Sequence, residues 1–323
     1  MQWLTLVVLA LLGIPPWVAC SKPTAKPVIP DALPERRAPD ARLNTVDPFA
    51  FDPALFTPKR SATPDDWLST HVEPGQTFGQ YLRGIPMVGT ETRKVIVLQP
   101  LGPFGATDKA TLETLADFAR RFFQREVRIE KPLPLPVKGR RTFAYGTLKF
   151  SQYLTSVILN ESLRPRLPED ALCYLGITLS DLYPEEAWNY VFGQASFKQR
   201  VGVYSLVRYT ARFWGKPETH DSKARFLRRA MKVLAHETGH MFSIWHCTTQ
   251  ECLMNGSNSL EELDDNRIHL CPECLKKLHW NLEFDVVKRY GDLLDFYRRH
   301  DLLDFAAWME QRLKNLSPAP TEK

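Results

Sequence analysis

His236-Glu237-Thr238-Gly239-His240 decides how this 323-residue chain is read. On a helix, side chains four residues apart share a face and lie about 6 Å apart along the axis. Two imidazoles in that relation converge on one Zn²⁺ at about 2.0–2.1 Å. Glu237, beside the first of them, projects into the adjoining space, where a carboxylate takes a proton from a metal-bound water instead of binding the metal. His246 follows His240 by six residues. On a straight helix it would sit about 15 Å along the axis from His236, too far to share an ion. The chain must therefore leave the helix near Phe242 or Ser243 and turn back. Glycine takes the positive φ of such a turn freely, whereas Ser243 costs about 1 kcal/mol on the same backbone. The alternative makes His246 a loop histidine and leaves the helical pair to await a distant acidic ligand. Eight residues beyond His246 lies Met254, within Cys252-Leu253-Met254-Asn255-Gly256. Asn-Gly marks a tight turn there, and the methionine either floors the metal site or simply packs.

Cysteine is concentrated in the same region. Four of the six, Cys247, Cys252, Cys271 and Cys274, fall within 28 residues. Cys-x4-Cys and Cys-x2-Cys separated by 18 residues fit a tetrahedral thiolate zinc site. In an oxidising compartment the same thiols could instead pair as disulfides. Cys173 has no partner in the pattern and falls in an apolar run, so it reads as core.

His236-Glu237-x-x-His240-x-x-Ser243-x-x-His246, followed by Met254, resembles the metzincin zinc peptidases. The run His246-Cys247-x4-Cys252-x-Met254-x16-Cys271-x2-Cys274 narrows the resemblance to the archaemetzincin family, and residues 176–178, 181–183 and 189–195 look similar too. The resemblance covers roughly residues 90–290. It implies an α+β (α/β-type) zincin-like metzincin domain. Its parts would be a twisted mixed sheet of about five strands, an edge strand at 189–195 beside the active-site helix, a Met-turn at Met254, C-terminal helices and a four-cysteine zinc site. It implies two zinc ions per chain. One would sit on His236, His240 and His246, with Glu237 activating a zinc-bound water to hydrolyse peptide bonds. The other, structural, would sit on Cys247, Cys252, Cys271 and Cys274. A peptide or protein is the implied substrate. Ser243 departs from the family's glycine, which bears on the turn and not on the ligands. A different class stays open: a catalytically weak or inactive zinc-stabilised binding module tethered to a membrane, with Ser243 as the sign of drift. A membrane-tethered scaffold working through a Pro-rich arm is weaker still. The joint presence of His236, Glu237, His240 and His246 favours the enzyme.

The composition of the whole chain is that of an ordinary globular protein, with 44% hydrophobic and 24% charged residues. A net charge of +5 is not the dense basic field of a nucleic-acid binder, and a monomer is expected. Residues 4–16 form an apolar run of about 13, short of the roughly 20 that span a bilayer, so a signal peptide is expected. Trp17-Val18-Ala19-Cys20 resembles a bacterial lipobox, with Trp17 where leucine is usual. Cys20 would then be acylated and anchor the exported protein to a membrane. The alternative is ordinary cleavage near Ala19 or Cys20 and a secreted or periplasmic protein. Residues 21–64 contain nine prolines and read as a tether, disordered or docked as irregular coil. The expected organisation is thus signal peptide 1–20, Pro-rich tether 21–65, catalytic domain 66–316 and tail 317–323.

Within the domain, apolar periodicity predicts a strand at 94–100, a helix at 107–124 and a strand at 126–130, a parallel pair joined by a crossover. A helix at 149–163 follows, then strands at 173–179, 189–195 and 200–207, and a helix at 222–242. Residues 284–313 read as helical, broken at Gly291 or at 299–301. Arg225, Arg228, Arg229 and Lys232 read as a solvated face.

Overall fold

The structure, a computed structural model, describes residues 48–53, 56–145 and 148–316. The apolar leader, Cys20 and the tail 317–323 lie outside the described residues. The strands are β1 (Val95–Leu101), β2 (Val127–Ile129), β3 (Arg140–Tyr145), β4 (Leu148–Leu154), β5 (Ala171–Thr178), β6 (Asp181–Tyr183), β7 (Gly193–Ala195) and β8 (Val201–Ser205). The helices are α1 (Trp67–Thr70), α2 (Phe78–Arg83), α3 (Ala106–Phe123), α4 (Thr155–Val157), α5 (His220–Met241), α6 (Leu260–Asp265), α7 (Pro272–Leu282), α8 (Val286–Arg299) and α9 (Leu303–Leu316).

Among the described residues a mixed five-stranded sheet runs β2-β1-β5-β8-β7. The first four strands are parallel, and β7 closes the edge antiparallel to β8, with Gln194 opposite Val203. β1, β5 and β8 are buried along their whole length, as parallel strands covered on both faces must be. The crossover from β1 to β2 is the expected helix. Its first turn is secured by the Asp108 carboxylate, which accepts from the Gly105 N–H at 2.8 Å. Its buried stripe includes Leu112, Leu115, Phe118 and Phe122. α3 and α5 pack against each other, and Phe123 meets Phe242 at 5.7 Å between ring centroids.

Three expectations are corrected. Residues 149–154, read as the start of a helix over 149–163, belong instead to β4 of a second sheet ordered β3-β4-β6. Phe150, Tyr153, Leu154, Val157 and Ile158 suit a helical face as well as a strand that turns into a helix. The decision is made by pairing with β3, which lies outside the window that local periodicity reads. Residues 189–195 do not form one long strand. Val191 bridges to Leu182, its N–H donating to the Leu182 carbonyl at 2.9 Å, and only Gly193–Ala195 stays in the main sheet as its edge. The basic side of α5 is not wholly solvated either. Arg229 pairs with Asp264 at 2.5 Å, and the Lys232 ammonium donates to the carbonyls of Leu263 and Asp264 at 2.9 and 2.7 Å. These two side chains fasten α6 to α5, an arrangement that a sequence window cannot register. The C-terminal break falls at residues 300–302, and Gly291 lies inside α8.

The described end of the Pro-rich stretch docks on the domain, and it is not all irregular coil: Pro48–Phe51 form one turn of 3-10 helix. Ala50 and Phe56 are buried, and the backbone N–H groups of Lys59 and Glu251 donate to the carbonyls of Thr249 and Thr57 at 3.0 and 2.9 Å.

Candidate metal centre

α5 carries the site. Its start is fixed by reciprocal capping: Thr219 Oγ1 accepts from the Ser222 N–H at 3.1 Å, and Ser222 Oγ accepts from the Thr219 N–H at 2.8 Å. Its last turns, from Arg229 to Met241, are buried throughout. The helix ends where the spacing of His246 required. Ser243 takes φ +66°, its N–H donates to the His240 carbonyl at 2.8 Å, and the chain folds back. The hydroxyl that glycine would lack is used. Ser243 Oγ donates to the Phe197 carbonyl at 2.6 Å and accepts from the Met87 N–H at 3.0 Å.

The turn brings His246 to the helical pair. One ring nitrogen of each of His236, His240 and His246 lies within 4.8 Å of the others, with the Nε2 atoms of His236 and His240 3.0 Å apart. Carbonyl and carboxylate oxygens can only accept, so each Nδ1 donates. His236 donates to the Leu253 carbonyl at 2.9 Å, His240 to the Ile244 carbonyl at 2.7 Å, and His246 to Glu73 at 2.8 Å. That fixes the tautomer and leaves the Nε2 lone pairs for the common centre. Burial, with repulsion from His246, pushes His236 down to about 3, and burial pushes His240 well below the usual histidine range. These two rings are therefore neutral near pH 7, as ligation demands.

Glu237 is buried, and Gly193 of the edge strand lies directly against it: a Cβ built on Gly193 would stand 2.6 Å from Glu237 Oε1. A cavity of about 20 Å³ adjoins, lined by Phe192, His236, Glu237 and His246, which is room for one water molecule. Met254 lies beneath Gly239, where an added Cβ would meet its Sδ at 2.7 Å. The tight turn at 252–255 is made by Asn255, whose Oδ1 accepts from the Cys252 N–H at 2.8 Å and whose Nδ2 donates to the Cys247 carbonyl at 2.8 Å. Gly256 does not take a left-handed φ. It is small because Trp67 sits 2.5 Å from where its Cβ would be.

Cys247, Cys252, Cys271 and Cys274 form a second cluster, buried, unbridged, with sulfurs within 4.8 Å of one another. Cys247 and Cys271 sulfurs are 3.6 Å apart, close to the edge of about 3.8 Å that four thiolates make at about 2.3 Å from one zinc. The Cys252 sulfur accepts from the N–H groups of Cys271 and Met254 at 3.2 and 3.4 Å. Hydrogen bonds from Cys252, Cys271 and Cys274 push the Cys247 thiol down, while burial pushes Cys252 up. Four buried sulfurs cannot all ionise without a cation among them.

Residues 150–280 match the model of Peptidase family M54. The chain is 33% identical over 277 residues to archaemetzincin-2 of Homo sapiens, covering 76% of each chain. It is 29% identical to archaemetzincin-1 of Mus musculus, covering 79% of this chain and 56% of that one. This chain belongs to the archaemetzincin family. It is a zinc metallopeptidase by that membership, with the mixed α/β architecture expected of it. Among solved structures, archaemetzincin from Archaeoglobus fulgidus is 28% identical, with TM-score 0.44, over 57% of this chain and 99% of that one. Archaemetzincin from Methanopyrus kandleri is 27% identical, with TM-score 0.47, over 61% of this chain and 99% of that one.

Both archaemetzincin clusters have donor sets suited to zinc: three imidazoles with Nδ1 engaged, and four thiols around one point. Every residue of the described site that the sequence singled out is present at one of the two. Glu73 and Gln76 were not singled out, and Gly193 entered only as one residue of the similar stretch 189–195, with no contact to Glu237 expected. Glu73 lies 173 residues before His246 in a stretch without periodicity, and nothing local marks it.

Proposed function

We propose that the chain hydrolyses peptide bonds at the histidine cluster with Glu237 as the proton-transfer residue, and that it holds two zinc ions. His236, His240 and His246 would bind the catalytic zinc through Nε2, and the four thiolates the structural one. When bound, zinc supplies Lewis acidity toward water and toward the scissile carbonyl. The observation that carries the proposal is the convergence of three tautomer-fixed imidazoles beside a water-sized cavity that Glu237 also lines.

Glu237 takes a proton from the attacking water on its carboxylate and returns it to the departing amine. Gly193 leaves room for that carboxylate. The outer edge of Gly193–Ala195 is the sheet margin nearest Glu237, and an extended peptide pairs there by backbone hydrogen bonds. The leader reading joins this proposal: export, with Cys20 acylated. It is supported by the short apolar run that ends before Cys20.

Glu237→Gln should keep both metals and lose at least about 10²-fold in turnover on a peptide library. Equal cleavage by variant and parent would sink the mechanism. Metal analysis should return two zincs per chain. One zinc with no free thiol among the four cysteines would sink the thiolate site. Cys20→Ala should abolish incorporation of a labelled fatty acid, and undiminished labelling would refute the anchor.

A further inference from the structure

His246 differs from the other two imidazoles in what holds it. His236 and His240 lean on the Leu253 and Ile244 carbonyls, which the turns around the site fix in place. His246 leans on a side chain from a remote segment, both oxygens of Glu73 lying 2.8 and 3.1 Å from its Nδ1. Its Nε2 is buried and has no hydrogen-bond partner among the described residues. Glu73 is itself built in. It stands in a strap over residues 66–84 whose start is pinned where the Trp67 N–H donates to Glu262 at 3.1 Å. Gly75 then turns the strap with φ +68°, so close to Thr248 that a Cβ would lie 2.4 Å from its hydroxyl oxygen. Gln76 follows, accepting from the Trp245 N–H and donating to the Ser243 carbonyl, each at 3.2 Å. Trp67 meets the His246 ring edge-on at 5.1 Å. The strap ends in α2, where the Tyr81 hydroxyl donates to the Phe242 carbonyl at 3.0 Å. One segment therefore grips the turn before His246 and the ring itself, and it precedes the residues 150–280 matched by the family model.

We propose that Glu73 is a positioning residue for the metal centre: its carboxylate accepts the His246 Nδ1 proton, fixes that tautomer and aims Nε2 at the ion. A carboxylate behind a ligating imidazole also raises its basicity. The strap is thus part of the metal site. This rests on the proposed zinc at His236, His240 and His246, and the test separates the two.

Full-length parent, Glu73→Gln and Glu73→Ala are loaded with zinc and titrated with a chelator. The same three are loaded with Co²⁺ and their visible spectra recorded, in which thiolate and imidazole sites absorb differently. Parent should release two ions in separate steps. In Glu73→Ala the histidine-site ion should bind 10–100-fold more weakly, with its Co²⁺ bands shifted, while the thiolate-site ion is unchanged. Glu73→Gln keeps a neutral acceptor and should fall between. Affinity within twofold of parent in both variants, with unchanged Co²⁺ bands, overturns the proposal. So does parallel weakening of the thiolate site, since that marks a general loss of structure. Glu73→Gln is the decisive arm should the alanine variant fail to fold. A parent without a histidine-site ion sinks the zinc reading, and this one with it.

Discussion

Ser243 offers a quantitative test of how the site is held. It sits at φ +66°, in the region where a Cβ costs roughly 1 kcal/mol, and it is buried. Against that cost stand two hydrogen bonds of its hydroxyl, to the Phe197 carbonyl at 2.6 Å and from the Met87 N–H at 3.0 Å. Each contributes about 1 kcal/mol net. Ser243→Ala keeps the strained φ and loses both bonds, so it should cost about 2 kcal/mol. Ser243→Gly loses the same bonds but relieves the backbone, so about 1 kcal/mol should be lost. The order parent, glycine, alanine, with steps near 1 kcal/mol, is the expectation. Urea unfolding of the zinc-saturated full chain, followed by tryptophan fluorescence at a common slope, measures it. A glycine variant at or above the parent would show that the hydroxyl contributes no more than the strained φ costs. An alanine variant as stable as the glycine one would show that the turn is not strained. Either result refutes the reasoning.

Other perturbations follow from the same contacts. Gly193→Ala forces the Glu237 carboxylate away from a contact of 2.6 Å, a shift approaching about 1 Å, so kcat should fall on the order of 10²-fold with zinc content unchanged. A kcat within twofold of the parent would count against Glu237 as the proton carrier. Asp181→Ala leaves the Arg208 guanidinium, bonded to Asp181 at 2.7 Å through two nitrogens, buried without its counter-charge. About 3–5 kcal/mol of stability should be lost, and a loss below about 1 kcal/mol would contradict this. Burial pushes Lys232 down to about 8, so between pH 8 and 10.5 the unfolded chain holds a proton that the folded one has released. Stability should rise across that window by up to about 3 kcal/mol, and Lys232→Met should flatten the rise. An unchanged slope in the variant would refute the assignment.

The sequence by itself determined the chemistry. His236, Glu237 and His240 share a helix, and the one-turn spacing of that helix is local geometry, legible without knowing the fold. The turn at Ser243 followed from distance alone, since His246 could not reach the pair along a straight helix. The cysteine spacing marked a four-thiol cluster because Cys-x4-Cys and Cys-x2-Cys pairs suit tetrahedral thiolate ligation, while leaving zinc and disulfide both open. The β1, α3, β2 crossover was legible too, because buried parallel strands and an amphipathic helix carry their own periods.

What the tertiary structure decided is whatever depends on partners far along the chain. β4 became a strand because β3 lay beside it, although its own residues suit a helix. Arg229 and Lys232 turned inward because α6 supplies Asp264 and two carbonyls. Gly193 looks like any glycine until the edge strand brings it against Glu237. Glu73 meets His246 across 173 residues, and a lone glutamate in an aperiodic strap carries no local sign of that meeting. Ligand identity is written in short spacings, whereas the groups that aim the ligands are chosen by packing, which no window of neighbouring residues contains.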